Sequence, residues 1–236
     1  MDSSISVILA TGFIYGLQHA LDPDHLVAVS TIVSEHKSVS RSSLVGTFWG
    51  VGHTSSLLFV SLIVLFLRAS IPENIARWME APVALMLIAL GVTTIIRAIR
   101  ERGLRIHTHS HSHDESTPHK HLHIHLDEEH VHQHRRLKIG KRPFLVGLVH
   151  GIAGSAALTL LVLVKIPSVA LGLLYIGVFG IGSIGGMLLM SGLIGLPFAL
   201  TARRYEFLNG GIRLVAGAVS ILYGLVLAWS LSIKKL

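Results

Sequence analysis

His19, Asp22, Asp24 and His25 crowd into seven residues around Pro23, in the middle of an apolar run from about Ile5 to Val33. One Asp at the centre of a bilayer helix costs about 2.5–3.5 kcal/mol on insertion scales. Two would cancel the apolar drive of several leucines. Such groups are tolerated when they pair, line a cavity or hold an ion. At ~100° per residue His19, Asp22 and His25 share an arc of about 120°, and Asp24 points elsewhere. Pro23 removes a backbone hydrogen bond and clashes with the preceding turn, so the helix should kink or unwind there. Unwinding would turn Asp24 inward and free carbonyls near Asp22. Irregular backbone at that depth requires a cavity or a protein surround.

Two further histidines, His53 and His150, stand in apolar surroundings. Counted from the expected cytoplasmic ends of their helices, His25, His53 and His150 lie about 12–15 Å deep at 1.5 Å per residue. Matching depth on three helices is what one shared site requires. The candidate metal ligands are therefore His19, Asp22, Asp24, His25, His53 and His150, with either Asp22 or Asp24 facing the ion. Imidazole and carboxylate without thiolate suit Ni²⁺, Co²⁺, Zn²⁺, Fe²⁺ or Mn²⁺ and argue against Cu(I). There is no cysteine, which also removes disulfides and thiol redox chemistry.

The elements that must position these residues are membrane helices. The 236 residues are 51% hydrophobic and only 14% charged, with mean hydropathy +0.64. A soluble domain carries nearer a quarter charged residues. The expectation is an all-α membrane protein of six spans, roughly 5–33, 44–67, 81–100, 143–164, 169–201 and 209–232, each near the ~20 residues a span needs. No cleavable signal peptide is expected, because the amino-terminus lacks a basic region. The first three spans (1–100) and the last three (143–236) flank a polar segment, 101–142. That segment holds His107, His109, His111, His113, His119, His121, His123, His125, His130, His132 and His134. Its composition predicts a disordered or weakly structured loop, with auxiliary metal-binding histidines on one face wherever it becomes extended. Of the 20 Lys and Arg residues, fifteen fall on the side of the 34–43, 101–142 and 202–208 connections. The positive-inside rule then puts the His-rich loop in the cytoplasm and both termini outside the cytoplasmic membrane. The +7 net charge reads as topology, not as nucleic-acid binding.

An internal repeat supports two halves. Gly16-Leu17-Gln18-His19-Ala20 matches Gly147-Leu148-Val149-His150-Gly151, and Phe48 to His53 echoes Val178 to Ser183. The two offsets agree within one residue. Three spans per half make the halves inverted, a common transporter design with the site near the midplane and rocking of one half against the other. The many Gly and Ser residues of these spans read as close helix interfaces.

Taken together, His19-x4-Asp24-His25 behind Gly16-Leu17 resembles the signature helix of the nickel/cobalt transporter (NiCoT/NicO) family. Gly52-His53-Thr54 resembles that family's second histidine motif. The likeness is closest to the short UreH-type nickel permeases, which pair the signature with a segment like His150-Gly151-Ile152-Ala153-Gly154-Ser155-Ala156-Ala157. The resemblance implies Ni²⁺ or Co²⁺ transport, with His19, Asp24 and His25 as metal-binding residues and His53 as a fourth. It differs from longer members, which have eight spans and a later acidic motif. Efflux proteins of the superfamily share the six spans and His-rich loop but end the motif in Glu-Pro-Gly-His, so Asp24 favours uptake while the six spans and the loop favour the alternative, efflux. The expected function is a secondary transporter without an organic cofactor. Its partners are the ion, the bilayer, a cytoplasmic metallochaperone as receiver, and a second copy of the chain if it oligomerises. A metal sensor or storage protein would bind through the loop without moving metal. An intramembrane metalloenzyme lacks support, since no His-Glu-x-x-His pair and no intramembrane Glu base is present.

Overall fold

The computed structural model describes residues 3–67, 72–102, 106–111, 119–124, 140–153, 168–202 and 204–233. Its helices are α1 (Ser3–His19), α2 (Pro23–Val33), α3 (Val39–Leu67), α4 (Glu73–Trp78), α5 (Ala81–Arg102), α6 (Lys141–Ile152), α7 (Val169–Thr201) and α8 (Glu206–Ile233). Among the described residues, α3, α7, α8 and the α4–α5 stretch Asn74–Glu101 are long and apolar enough to cross a membrane. The bent pair Ile5–His19 and Pro23–Val33, at 54°, makes a fifth if counted as one broken span. The expected fourth span, 143–164, is described only as α6, and 154–167 lie outside the described residues. The description therefore reaches five spans, not six.

The outer face fits lipid, not water. Phe59, Phe66, Leu85, Leu189, Leu200, Val226 and Trp229 are each more than 60% exposed. Fully apolar helix surfaces of this kind belong in a bilayer. The inner packing depends on glycine. A Cβ on Gly16 of α1 would sit 2.1 Å from the Phe179 carbonyl oxygen of α7. A Cβ on Gly147 of α6 would sit 2.1 Å from the Trp49 carbonyl oxygen of α3. The same trade recurs one step on, where Gly52 of α3 meets Phe144 of α6 and Gly182 of α7 meets Phe13 of α1. Backbones meet directly at these points, which is how helices associate where lipid supplies no hydrophobic drive.

α1 and α6 thus pack on α7 and α3 respectively, and α3 packs on α7. α5 and α8 pack mainly on each other, with Ser220 donating to the Leu87 carbonyl at 2.7 Å. α2 lies between these groups and touches α5, α7 and α8. Just beyond α2, Glu35 pairs with Arg97 of α5 and, at 3.1 Å, with Arg142 of α6.

The polar loop, expected to be disordered or weakly structured, holds two strands among its described residues. Strands β1 (Ile106–His111) and β2 (His119–Ile124) pair antiparallel. The register sets His107 opposite His123, His109 opposite His121, and His111 opposite His119. His113, His125, His130, His132 and His134 lie outside the described residues.

Candidate metal centre

The centre is built at the break between α1 and α2. α1 ends on His19, and its last turn closes through Leu21 N–H to Gln18 O (2.8 Å) and Asp22 N–H to His19 O (3.2 Å). Asp22 is the N-cap of α2 and Pro23 its first residue. Proline belongs there, because the first helical N–H has no intrahelical partner to lose. The interruption thus falls over Ala20–Asp22, ahead of Pro23, where a kink at the proline itself was expected. It also turns two helix ends toward one place. The carbonyl end of α1 favours a cation, while Asp22 and Asp24 complement the positive end of α2.

His19, His25, His53 and His150 are all buried and come from α1, α2, α3 and α6. Ring centroids are 4.5 Å apart for His19–His25, 4.9 Å for His19–His53, 5.2 Å for His25–His53 and 4.0 Å for His25–His150. The break settles the two carboxylates. Asp24 turns inward, where its Oδ1 accepts from His25 Nδ1–H at 3.1 Å and its Oδ2 from His150 Nε2–H at 2.8 Å. Asp22 accepts from His19 Nδ1–H at 2.8 Å and is 44% exposed, against 26% for Asp24.

A neutral imidazole has one N–H and one lone pair, so these bonds fix the rest. With Nδ1 donating to Asp22, His19 Nε2 accepts from His53 Nε2–H at 3.0 Å. His25 Nε2, His53 Nδ1 and His150 Nδ1 are then buried lone pairs without a hydrogen-bond partner among the described residues. A buried, unpaired nitrogen costs about 1–3 kcal/mol. Three of them around two carboxylates suit a cation. Two sets of three donors, each mutually within 4.8 Å, could hold an ion: His19, His25 and His53, and Asp24, His25 and His150.

All six expected intramembrane residues therefore converge. Sequence reasoning missed Trp49, whose ring stacks on His25 with centroids 5.2 Å apart, and Phe179, 5.6 Å from His19. Trp49 precedes His53 by four residues on α3, a same-face spacing that could have marked it.

The fold and the cluster define a multi-pass membrane protein with four buried histidines and two partly exposed carboxylates at a broken helix. A family model described as High-affinity nickel-transport protein, NicO, matches residues 5–229. The chain belongs to that family, and so it is a transporter and not an enzyme, with nickel as its cargo. It is 37% identical over 233 residues to the urease accessory protein UreH of Bacillus sp. (strain TB-90), covering 97% of this chain and 93% of that one. It is 28% identical over 181 residues to the chloroplast protein FOR GROWTH AND FERTILITY 1 of Arabidopsis thaliana, covering 75% of this chain and 46% of the relative. No solved structure matches.

Proposed function

We propose that this nickel transporter carries its ion through the cluster of His19, Asp22, Asp24, His25, His53 and His150, and that it works as an importer. The observation that carries the site is the convergence of four buried histidines with three unpartnered ring nitrogens. Nothing in the packing of an apolar bundle calls for such a group. Co²⁺ fits the same donors and is the expected second cargo. Uptake rests on Asp24 and on the relative named as a urease accessory protein, since metal for an enzyme inside the cell must move inward. The membrane is the cytoplasmic one, with the His-rich loop on its inner side and both termini outside. The six-span inverted repeat is supported by the traded glycine contacts. Gly16 meets Phe179 as Gly147 meets Trp49, and Gly182 meets Phe13 as Gly52 meets Phe144. Exchanging the two halves of the chain exchanges these contacts. The loop histidines buffer the ion or pass it to a metallochaperone.

The test is Ni²⁺ flux into proteoliposomes of defined orientation, comparing wild type with His25→Ala. Flux in wild type and at least about a tenfold loss in the variant are expected, as for a lost metal contact. Unchanged flux in His25→Ala would remove the cluster from the path. Reversing the metal gradient and the membrane potential reads direction, and flux only outward would replace import by efflux.

A further inference from the structure

We infer that the cluster is two seats in series for one ion, with His25 as the shared step. This rests on the reading that the cluster holds the transported metal, and goes beyond it. The two three-donor sets overlap at His25 alone. His19 and His53 belong to the first, Asp24 and His150 to the second. His25 sits between, its ring centroid 4.5 Å from that of His19 and 4.0 Å from that of His150, while the centroids of His53 and His150 are 6.0 Å apart. Donors to one ion at ~2.1 Å are at most ~4.2 Å from each other. Among the described residues no one set of donors within 4.8 Å of one another takes in all five side chains, so a single position does not collect them as they stand.

The two nitrogens of His25 divide between the seats. Nδ1 lies against Asp24, in the second seat, and Nε2 is the partnerless corner left for the first. An ion in the first seat meets imidazoles only. An ion in the second meets a carboxylate as well, so its charge is better compensated there. Entry into the second seat displaces the two N–H groups that Asp24 accepts. Water brought in by the hydrated ion takes the His25 proton from Nδ1 and returns one to Nε2 as Nε2 releases the metal, and in the same way relays the His150 proton from Nε2 to Nδ1. Each ring ends neutral with one proton, so the step itself neither takes up nor loses a proton. The glycine contacts give the arrangement a further sense. His19 and His150 follow the matching glycines Gly16 and Gly147 by three residues, so each seat takes the corresponding histidine of one half.

The experiment uses the full chain in lipid nanodiscs with Ni²⁺ alone as probe. His53→Gln removes a donor of the first seat only, and His150→Gln a donor of the second only. Each variant should still bind one ion. X-ray absorption should show imidazoles only in His150→Gln, and imidazole with carboxylate in His53→Gln. Flux should fall at least about tenfold in both, the usual cost of a lost metal contact. His53→Asn and His150→Asn serve where a Gln variant loses its helical circular dichroism. Loss of binding in both variants, identical spectra in both, or wild-type flux in either would overturn the two seats. Wild type that carries Ni²⁺ while both variants lose binding sinks this inference alone. Wild type that neither binds nor carries Ni²⁺ sinks the transport site itself.

Discussion

Asp24 is held by three hydrogen bonds. It accepts from the His25 backbone N–H at 3.0 Å as well as from the rings of His25 and His150. An amide in its place must face at least one ring donor with its own NH₂ group. Asp24→Asn should therefore lower Ni²⁺ flux at least about tenfold, within the range for groups that orient metal-bound histidines. Asp22 serves one ring and is nearly half exposed. Asp22→Asn should cost visibly less in the same flux assay, and equal losses would contradict this ranking. The ligand types were legible in the sequence because charge inside an apolar run is itself a signal. The ranking was not, since on an unbroken helix Asp24 points away. Only the turn over Ala20–Asp22 brings it in.

At the level of helices, glycine sets how closely α6 approaches α3. Gly147→Ala would force the new methyl against the Trp49 carbonyl oxygen and the His53 amide. Overpacking of this kind costs about 1–3 kcal/mol, and it should shift His150 as well. The loss should appear in thermal unfolding of the solubilised protein. Gly177→Ala meets nothing within 4 Å and should be tolerated. The turn after α2 offers a pH-dependent counterpart. Burial, with Arg41 and Arg142 nearby, holds His36 below the usual imidazole range, and Glu35 opposes this. The unfolded chain then takes up its proton first, so stability is full above about pH 6.5 and declines as the pH falls below it. His36→Gln should flatten that acid limb in melting temperatures taken between about pH 5 and 8. An unchanged slope would assign it to other groups. The matched glycine motifs of the two halves were readable as sequence, and so were most of the apolar helices. The starts and stops were less so. α3 begins at Val39, because a Ser/Arg-rich turn can continue a helix at a membrane surface where hydropathy alone ends it. The alternating histidines predicted a shared face if extended, but the pairing partner of each strand is a matter of register that spacing alone does not give.

For the molecule as a whole, the contacts divide differently from the chain. The two halves of the proposed repeat are interlaced, since α1 lies on α7 and α6 on α3. They cannot swing apart as two blocks without undoing backbone contacts at glycine. The natural seam runs elsewhere, between the α5–α8 pair and the four helices α1, α3, α6 and α7, with α2 along it. The Glu35 ion pairs straddle this seam, for they fasten Arg97 of the pair to Arg142 of the four. If the molecule moves along this seam these pairs are its latch, and a surface ion pair worth about 1 kcal/mol or less is weak enough to open in each cycle. The chain has no cysteine, so cross-links can be placed at will. The Thr93 hydroxyl of α5 accepts from the Arg142 guanidinium of α6 at 3.3 Å, so bridging cysteines at these positions with a short bifunctional reagent pins α5 to α6 and should stop transport. A disulfide between cysteines at Ser43 and Gly192 joins α3 to α7, where the Cβ separation is 3.8 Å, and should leave transport intact. Equal effects of the two links would mean that the seam is not where the molecule moves. If it is, the working joint of this machine cuts across the boundary between the halves of the proposed repeat.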